Sequence, residues 1–171
     1  MGGRIFPGET PIQSCQRLLR RELGLDISAE RFVTVCVQAF AFEMREQEPK
    51  NHGTTDAQFC YKVQLVNEDE VQKVVLDENE YSESDWKLPS EILNGNYHPA
   101  LKYAVGNMLA GNVLEEMEQK EEQGGSDKEI AVLAREFLKR RKEVEEVLKT
   151  SKEYKLVSKE LDYETTVNSR Y

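Results

Sequence analysis

The chain has no apolar run that approaches the roughly 20 residues of a membrane-spanning helix, and its mean hydropathy of −0.66 suits a protein that folds in water. No basic segment followed by an apolar core opens the sequence, so a secretory signal pattern is absent from it. Cysteine is scarce: Cys15, Cys36 and Cys60 are odd in number, sit on apolar helix or strand patterns and lack metal-ligand spacing. This excludes a disulfide framework and reads as reduced core thiols in a cytoplasmic type of compartment. Positive charge is in deficit, with 23 Lys and Arg against 32 Asp and Glu and a net charge of −9. Binding to a nucleic-acid backbone as the main activity is therefore not expected, because that term rests on many cationic contacts. A nucleotide substrate remains open, since it needs only a local cationic pocket.

The stretch at residues 2–25, GGRIFPGETPIQSCQRLLRRELGL, carries the most information. Pro7-Gly8 signals a turn, and Thr10 before Pro11 marks an N-cap with proline at the first helical position. Ile12, Cys15, Leu19 and Leu23 recur at three- and four-residue spacing, which predicts a helix with one apolar face. Gly24 is its expected stop. On that helix positions 18, 21 and 22 share a second face. It holds Leu18, Arg21 and Glu22, a leucine and a cation beside one carboxylate.

Gly3, Glu9, Arg17, Leu19, Glu22, Gly24 and Leu25 fall on the spacing of the Nudix box, G-x5-E-x7-R-E-U-x-E-E-x-G-U, where U is a bulky aliphatic residue. The stretch resembles that box with Leu18 and Arg21 standing where acids are usual. RLLRRELGL is most similar to the altered box of the GDP-mannose mannosyl hydrolases, which displace a nucleoside diphosphate from the sugar's anomeric carbon. The likeness continues to about residue 110: the Asp85-Trp86 region that ends the acidic stretch is, with the box, its specific part, and NHGTTDAQFCYKVQL and NYHPALKYAVGNML are weaker.

The resemblance implies an α+β fold, an α-β-α Nudix-like sandwich of a mixed sheet with flanking helices. It also implies strands before the box. The expectation is an N-terminally truncated, partial Nudix domain at 1–112, a charged hinge at 113–127, and a helical extension with a loose tail at 128–171. It further implies one Mg2+ or Mn2+ ion held by the backbone carbonyl of Gly2 and the carboxylate of Glu22. One or two carboxylates with water and substrate phosphate commonly suffice for Mg2+. Arg4 would contact the diphosphate. Arg17 would orient Glu22 by a salt bridge, with Gly3, Glu9 and Gly24 supporting the box. His98 stands where that branch has its catalytic base, a role that suits an imidazole near neutral pH. With Pro99 behind it, His98 also reads as an ordinary helix-start residue. His52 and the acidic run at 78–85 read as solvated loop residues.

Beyond the box, 31–44 reads as a buried strand, and Ala57 to Val66 as a second with Phe59, Tyr61, Val63 and Leu65 on one side. Val71 to Leu76 reads as a short third strand and Pro89 to Leu93 as a helical turn. A helix from Pro99 is expected to bury Leu101, Ala104, Val105, Met108 and Leu109. Ser126 with Glu129 makes a capping box, opening a helix whose stripe of Ile130, Leu133, Phe137, Val144 and Val147 is interrupted by Arg140. That helix, at about 128–149, either packs on its own domain or offers a homodimer or partner contact. Three functions stay open: a sugar-releasing hydrolase of a nucleotide sugar, a phosphate-attacking Nudix pyrophosphohydrolase, and a silent Nudix module that binds a nucleotide or a protein.

Overall fold

The computed structural model describes residues 2–42, 54–79, 81–150 and 155–156, with side chains described outside 40–42, 54–56, 148–150 and 155–156. The chain is a mixed α+β protein. Its elements are α1 (Pro11–Leu23), a 3-10 turn (Ala29–Arg31), β1 (Val33–Phe42), β2 (Thr54–Lys62), α2 (Glu68–Gln72), α3 (Pro89–Asn94), α4 (Pro99–Glu122), α5 (Asp127–Thr150) and β3 (Lys155–Leu156). The sheet order is β2-β1-β3. β3 runs antiparallel to β1, with Phe40 opposite Leu156 and Ala41 opposite Lys155. The chain divides into two units, Met1–Val35 with Tyr61–Glu91, and Cys36–Cys60 with Ile92–Tyr171.

In the first unit α1 begins where the sequence places it. Thr10 is extended, its hydroxyl accepts from the Gln13 amide at 3.2 Å, and the Gln13 side chain accepts from the Thr10 amide at 2.8 Å. This reciprocal cap satisfies two of the donors a helix start leaves open. At the far end Gly24 takes the left-handed conformation (φ 66°) and Leu25 N–H donates to the Leu19 carbonyl at 3.2 Å. A glycine reaches this conformation without the clash a side chain would suffer.

The apolar face of α1 does what its spacing predicts. Leu19 is buried with Leu25, Ile27 and Phe32, and Ile12, Cys15, Leu23, Tyr61, Val63, Leu65 and Val74 pack around them. Phe32 meets Tyr61 edge-to-face with ring centroids 6.1 Å apart. Each fully buried large aliphatic or phenyl group here contributes about 1.5–3 kcal/mol.

Two strand expectations are corrected in this unit. β2 ends at Lys62 rather than Val66. Past that point the Gln64 carbonyl accepts from Arg31 at 2.5 Å and the Val66 amide donates to Glu70 at 2.9 Å, so side chains take the bonds a ladder would use. Arg31 and Glu70 themselves pair at 2.6 Å. Val71 to Leu76 is not a strand: its start belongs to α2, capped by Asn67, whose side chain accepts from the Glu70 amide. The amides of Val75 and Asp77 then donate to the carbonyls of Leu23 and Glu22, both at 3.0 Å. These are carbonyls that the end of α1 leaves without helical partners.

In the second unit the expected helix from Pro99 forms, but it runs on to Glu122, so most of the segment read as a hinge is helical. Residues 113–122 are nearly all good helix formers despite their charge. The break is confined to the few residues around Gly124, which takes a φ of 74°. Val105 and Ala110 are buried on α4, whereas Leu101, expected inside, is largely exposed.

The Ser126–Glu129 capping box is present: the Ser126 amide donates to the Glu129 carboxylate at 2.9 Å, and the Glu129 amide to the Ser126 hydroxyl at 3.4 Å. α5 packs along α4 as a helical hairpin. A side chain at Gly106 would place its Cβ 2.7 Å from Val144 Cγ2, so the glycine permits the close approach of the two helices. Beside it, Arg141 donates to the buried Asn107 side chain at 2.6 Å. Arg140, which interrupts the apolar stripe, pairs with Glu136 at 2.8 Å.

Candidate functional site

The loop at 2–10 is laid on α1 by one guanidinium. Arg17 pairs with Glu9, Nε to Oε1 at 2.6 Å and Nη2 to Oε2 at 3.0 Å, in the two-pronged geometry that suits arginine. Nη2 also donates to the Arg4 carbonyl at 2.9 Å and to the Ser14 hydroxyl at 3.1 Å, and the guanidinium lies 3.9 Å from the Phe6 ring centroid. Glu9 accepts the Phe6 amide as well, at 2.9 Å, which closes the turn through Pro7-Gly8. Held by Arg17 first and the Phe6 amide next, the Glu9 carboxyl is pulled down to about 2. Arg17 is thus not the partner of Glu22, as the resemblance implied; Glu9 is. The chain reaches back to α1 at Gly3 too, where an added Cβ would lie 2.6 Å from Leu18 Cδ2. The leucine in place of an acid is buried and serves as the floor for this glycine.

Glu22 is the most deeply buried large side chain described, with 2% of its surface exposed. Its Oε1 accepts from Arg21 at 2.5 Å and its Oε2 from the Tyr81 hydroxyl at 2.6 Å. Arg21 is itself 47% exposed, so its head group sits at the boundary with solvent. Tyr81 escaped the sequence reading because it lies in the acidic run taken as solvated loop. An aromatic residue alone among acids there was its only signal.

Gly24 and Leu25 close α1 two residues after Glu22 and keep its carboxylate at the last turn. Gly2 and Arg4 are exposed at the loop's start. For a hard cation the donor set is narrow: one buried carboxylate with both oxygens engaged, and backbone carbonyls. Among the described residues there is no group of three or more His, Cys, Asp and Glu side chains that could hold a metal ion. This chemistry fits a single ion completed by water and substrate oxygens, and only after Arg21 moves away from Oε1; it does not fit a multi-ion array.

His98 belongs to the second unit. It N-caps α4, its Nδ1 accepting from the Ala100 amide at 3.1 Å. The lone pair of Nδ1 is thus engaged in the cap. To take a proton from water, His98 must first release the cap. His52 lies outside the described residues. Among the acids of 78–85, Asp85 pairs with Lys87 at 2.5 Å, an exposed contact that suits a solvated loop.

No family model, curated protein or solved structure matches the chain. Among the described residues no helix is long and apolar enough to cross a membrane.

Proposed function

We propose that the domain hydrolyses a nucleoside-diphosphate sugar with one bound Mg2+ or Mn2+, attacking the anomeric carbon to release free sugar and nucleoside diphosphate. The observation that carries this reading is Glu22, a single buried carboxylate at the end of a helix whose preceding loop is locked down by the Glu9–Arg17 pair. Glu22 and the Gly2 carbonyl would hold the ion, which supplies charge neutralisation for the departing diphosphate. Arg4 would add a second positive charge to that leaving group. Tyr81 orients the Glu22 carboxylate, and the resemblance gives His98 the role of accepting the proton of the attacking water. A scaffold of the Nudix type, an α-β-α sandwich with the box helix on one face, is the fold this chemistry would use.

A second reading is favoured by one observation. Arg21 already supplies Glu22 with a cation, and His98 is spent on a helix cap. A silent module, in which an internal guanidinium replaces the metal's charge, would bind a nucleotide or a protein without turnover. In a protein contact through the helix at 128–149, Val132 and Leu138 would be the apolar contributors, because they stay exposed while Val144 packs on α4.

Product analysis in heavy-oxygen water separates the readings. Label in free mannose or glucose means attack at carbon. Label in phosphate, with sugar 1-phosphate released, means the phosphate-attacking alternative. Binding of the GDP-sugar with neither product supports the silent module. On the hydrolase reading, Glu22→Gln abolishes Mg2+-dependent turnover and His98→Gln slows turnover more than it weakens binding. Wild-type turnover in His98→Gln removes the base assignment.

A further inference from the structure

β1 and β2 are neighbours in the sheet, and Cys36 and Cys60 face one another across them as hydrogen-bonded thiols. Gln38, two residues on along β1, donates its side-chain amide to Gln58 at 3.1 Å and to the Cys60 sulfur at 3.2 Å. The Cys36–Cys60 and Gln38–Gln58 contacts step in opposite directions along the two strands, the relation of opposed positions in an antiparallel pair. Such positions hold their Cβ atoms about 4.5–5.5 Å apart, and a disulfide needs about 3.5–4.5 Å. On those spacings the gap to close is about an ångström.

We propose that Cys36 and Cys60 are a reversible dithiol–disulfide pair, in which Cys60 is the thiol oxidised by a hydroperoxide and Cys36 the thiol that resolves it. The two roles differ because Gln38 breaks the symmetry of the pair. The Cys36 S–H first, and the Gln38 amide after it, donate to the Cys60 sulfur, which favours the thiolate there and holds Cys60 down at about 7. Cys36, as the donor, keeps its proton and is pushed up. Both thiols are half-buried, which admits a small peroxide more readily than a bulky reagent.

The Cys60 thiolate attacks the distal peroxide oxygen, the O–O bond breaks, and the leaving alkoxide or hydroxide takes a proton. Cys60 becomes a sulfenic acid. The Cys36 sulfur then displaces its hydroxyl, which leaves as water with the Cys36 proton, and the S–S bond forms. A cellular thiol of the glutathione class returns both sulfurs to thiols by exchange. Cys15, packed against the core of the other unit, takes no part.

The test uses the reduced full chain treated with hydrogen peroxide, followed by peptide mapping without reductant. The expected product is an intramolecular Cys36–Cys60 cross-link with Cys15 still free, reversed by dithiothreitol. In Cys36→Ser a sulfenic-acid probe such as dimedone labels Cys60, whereas in Cys60→Ser it leaves Cys36 unlabelled. Before any oxidation, alkylation at neutral pH is at least about threefold faster at Cys60 than at Cys36, which keeps its proton. The map on the wild-type chain does not depend on whether either variant folds. Peroxide that leaves Cys36 and Cys60 unlinked, oxidises Cys15 first, or joins separate chains overturns the proposal.

Discussion

Tyr81→Phe is the sharpest test of how Glu22 is held. The substitution removes one oxygen and leaves the ring in place, so little packing is lost. What disappears is a 2.6 Å hydrogen bond from a phenol to a carboxylate that is 2% exposed. Hydrogen bonds to a charged group contribute about 1.5–3 kcal/mol. The Arg21 contact at the other oxygen offsets little of the loss, because its guanidinium is half in solvent. Tyr81→Phe is therefore expected to lower unfolding stability by about 1.5–3 kcal/mol, a large share of the 5–15 kcal/mol typical of a domain.

The assay is urea unfolding followed by tyrosine-independent circular dichroism, reading the midpoint at unchanged slope. Glu22→Leu supplies the control, since it removes the carboxylate that accepts from Tyr81 while the half-exposed Arg21 can turn to solvent. In Glu22→Leu, adding Tyr81→Phe should cost much less than in the wild type, giving a coupling of at least about 1 kcal/mol. Additivity within about 0.5 kcal/mol would show that the phenol and the carboxylate do not act as a unit, and would refute the reasoning.

Two further outcomes rest on independent features. Glu9 and Glu70 are both drawn down to about 2, by Arg17 and Arg31 respectively. Because their folded values lie below the unfolded ones, the stability they confer is present above the ordinary carboxylate value and is lost as pH falls from there towards 2. Glu9→Gln should flatten the dependence of the urea midpoint on pH across that acid window, and an unchanged slope would count against the Arg17 clamp. On α4, Gly106→Ala should destabilise by about 1–3 kcal/mol through overpacking against Val144. Gly111→Ala, with open space at its Cβ, should stabilise by up to about 1 kcal/mol from helix propensity alone. Thermal unfolding of the two variants side by side reads both signs.

Local rules were legible in the sequence where the bonds they use are local. Thr10-Pro11 and Gly24 bracket α1, the Ser126–Glu129 box opens α5, and the face of Ile12, Cys15, Leu19 and Leu23 meets the core as the helical period requires. Readings failed where a distant group took over a backbone or side-chain bond. Val71 to Leu76 has strand-like composition, but the open carbonyls of Leu23 and Glu22 capture the amides of Val75 and Asp77. Arg17 stands at i and i+5 from Glu22, so helical spacing alone did not favour that pair, while Glu9 comes back to it only through the Pro7-Gly8 turn. Tyr81 had no periodicity to announce it. Of the site, the helix and its lone carboxylate were readable; the groups that engage that carboxylate were not.

The joining of α1 to the segment at 75–81 also dates the site during synthesis. The Glu22 carbonyl waits for Asp77 and its carboxylate for Tyr81. A nascent chain that has released only the box from the ribosome has the helix in outline but a solvated, unanchored carboxylate. The site is completed some sixty residues later, when Tyr81 emerges, so a stalled chain carries the motif without the environment that gives it meaning.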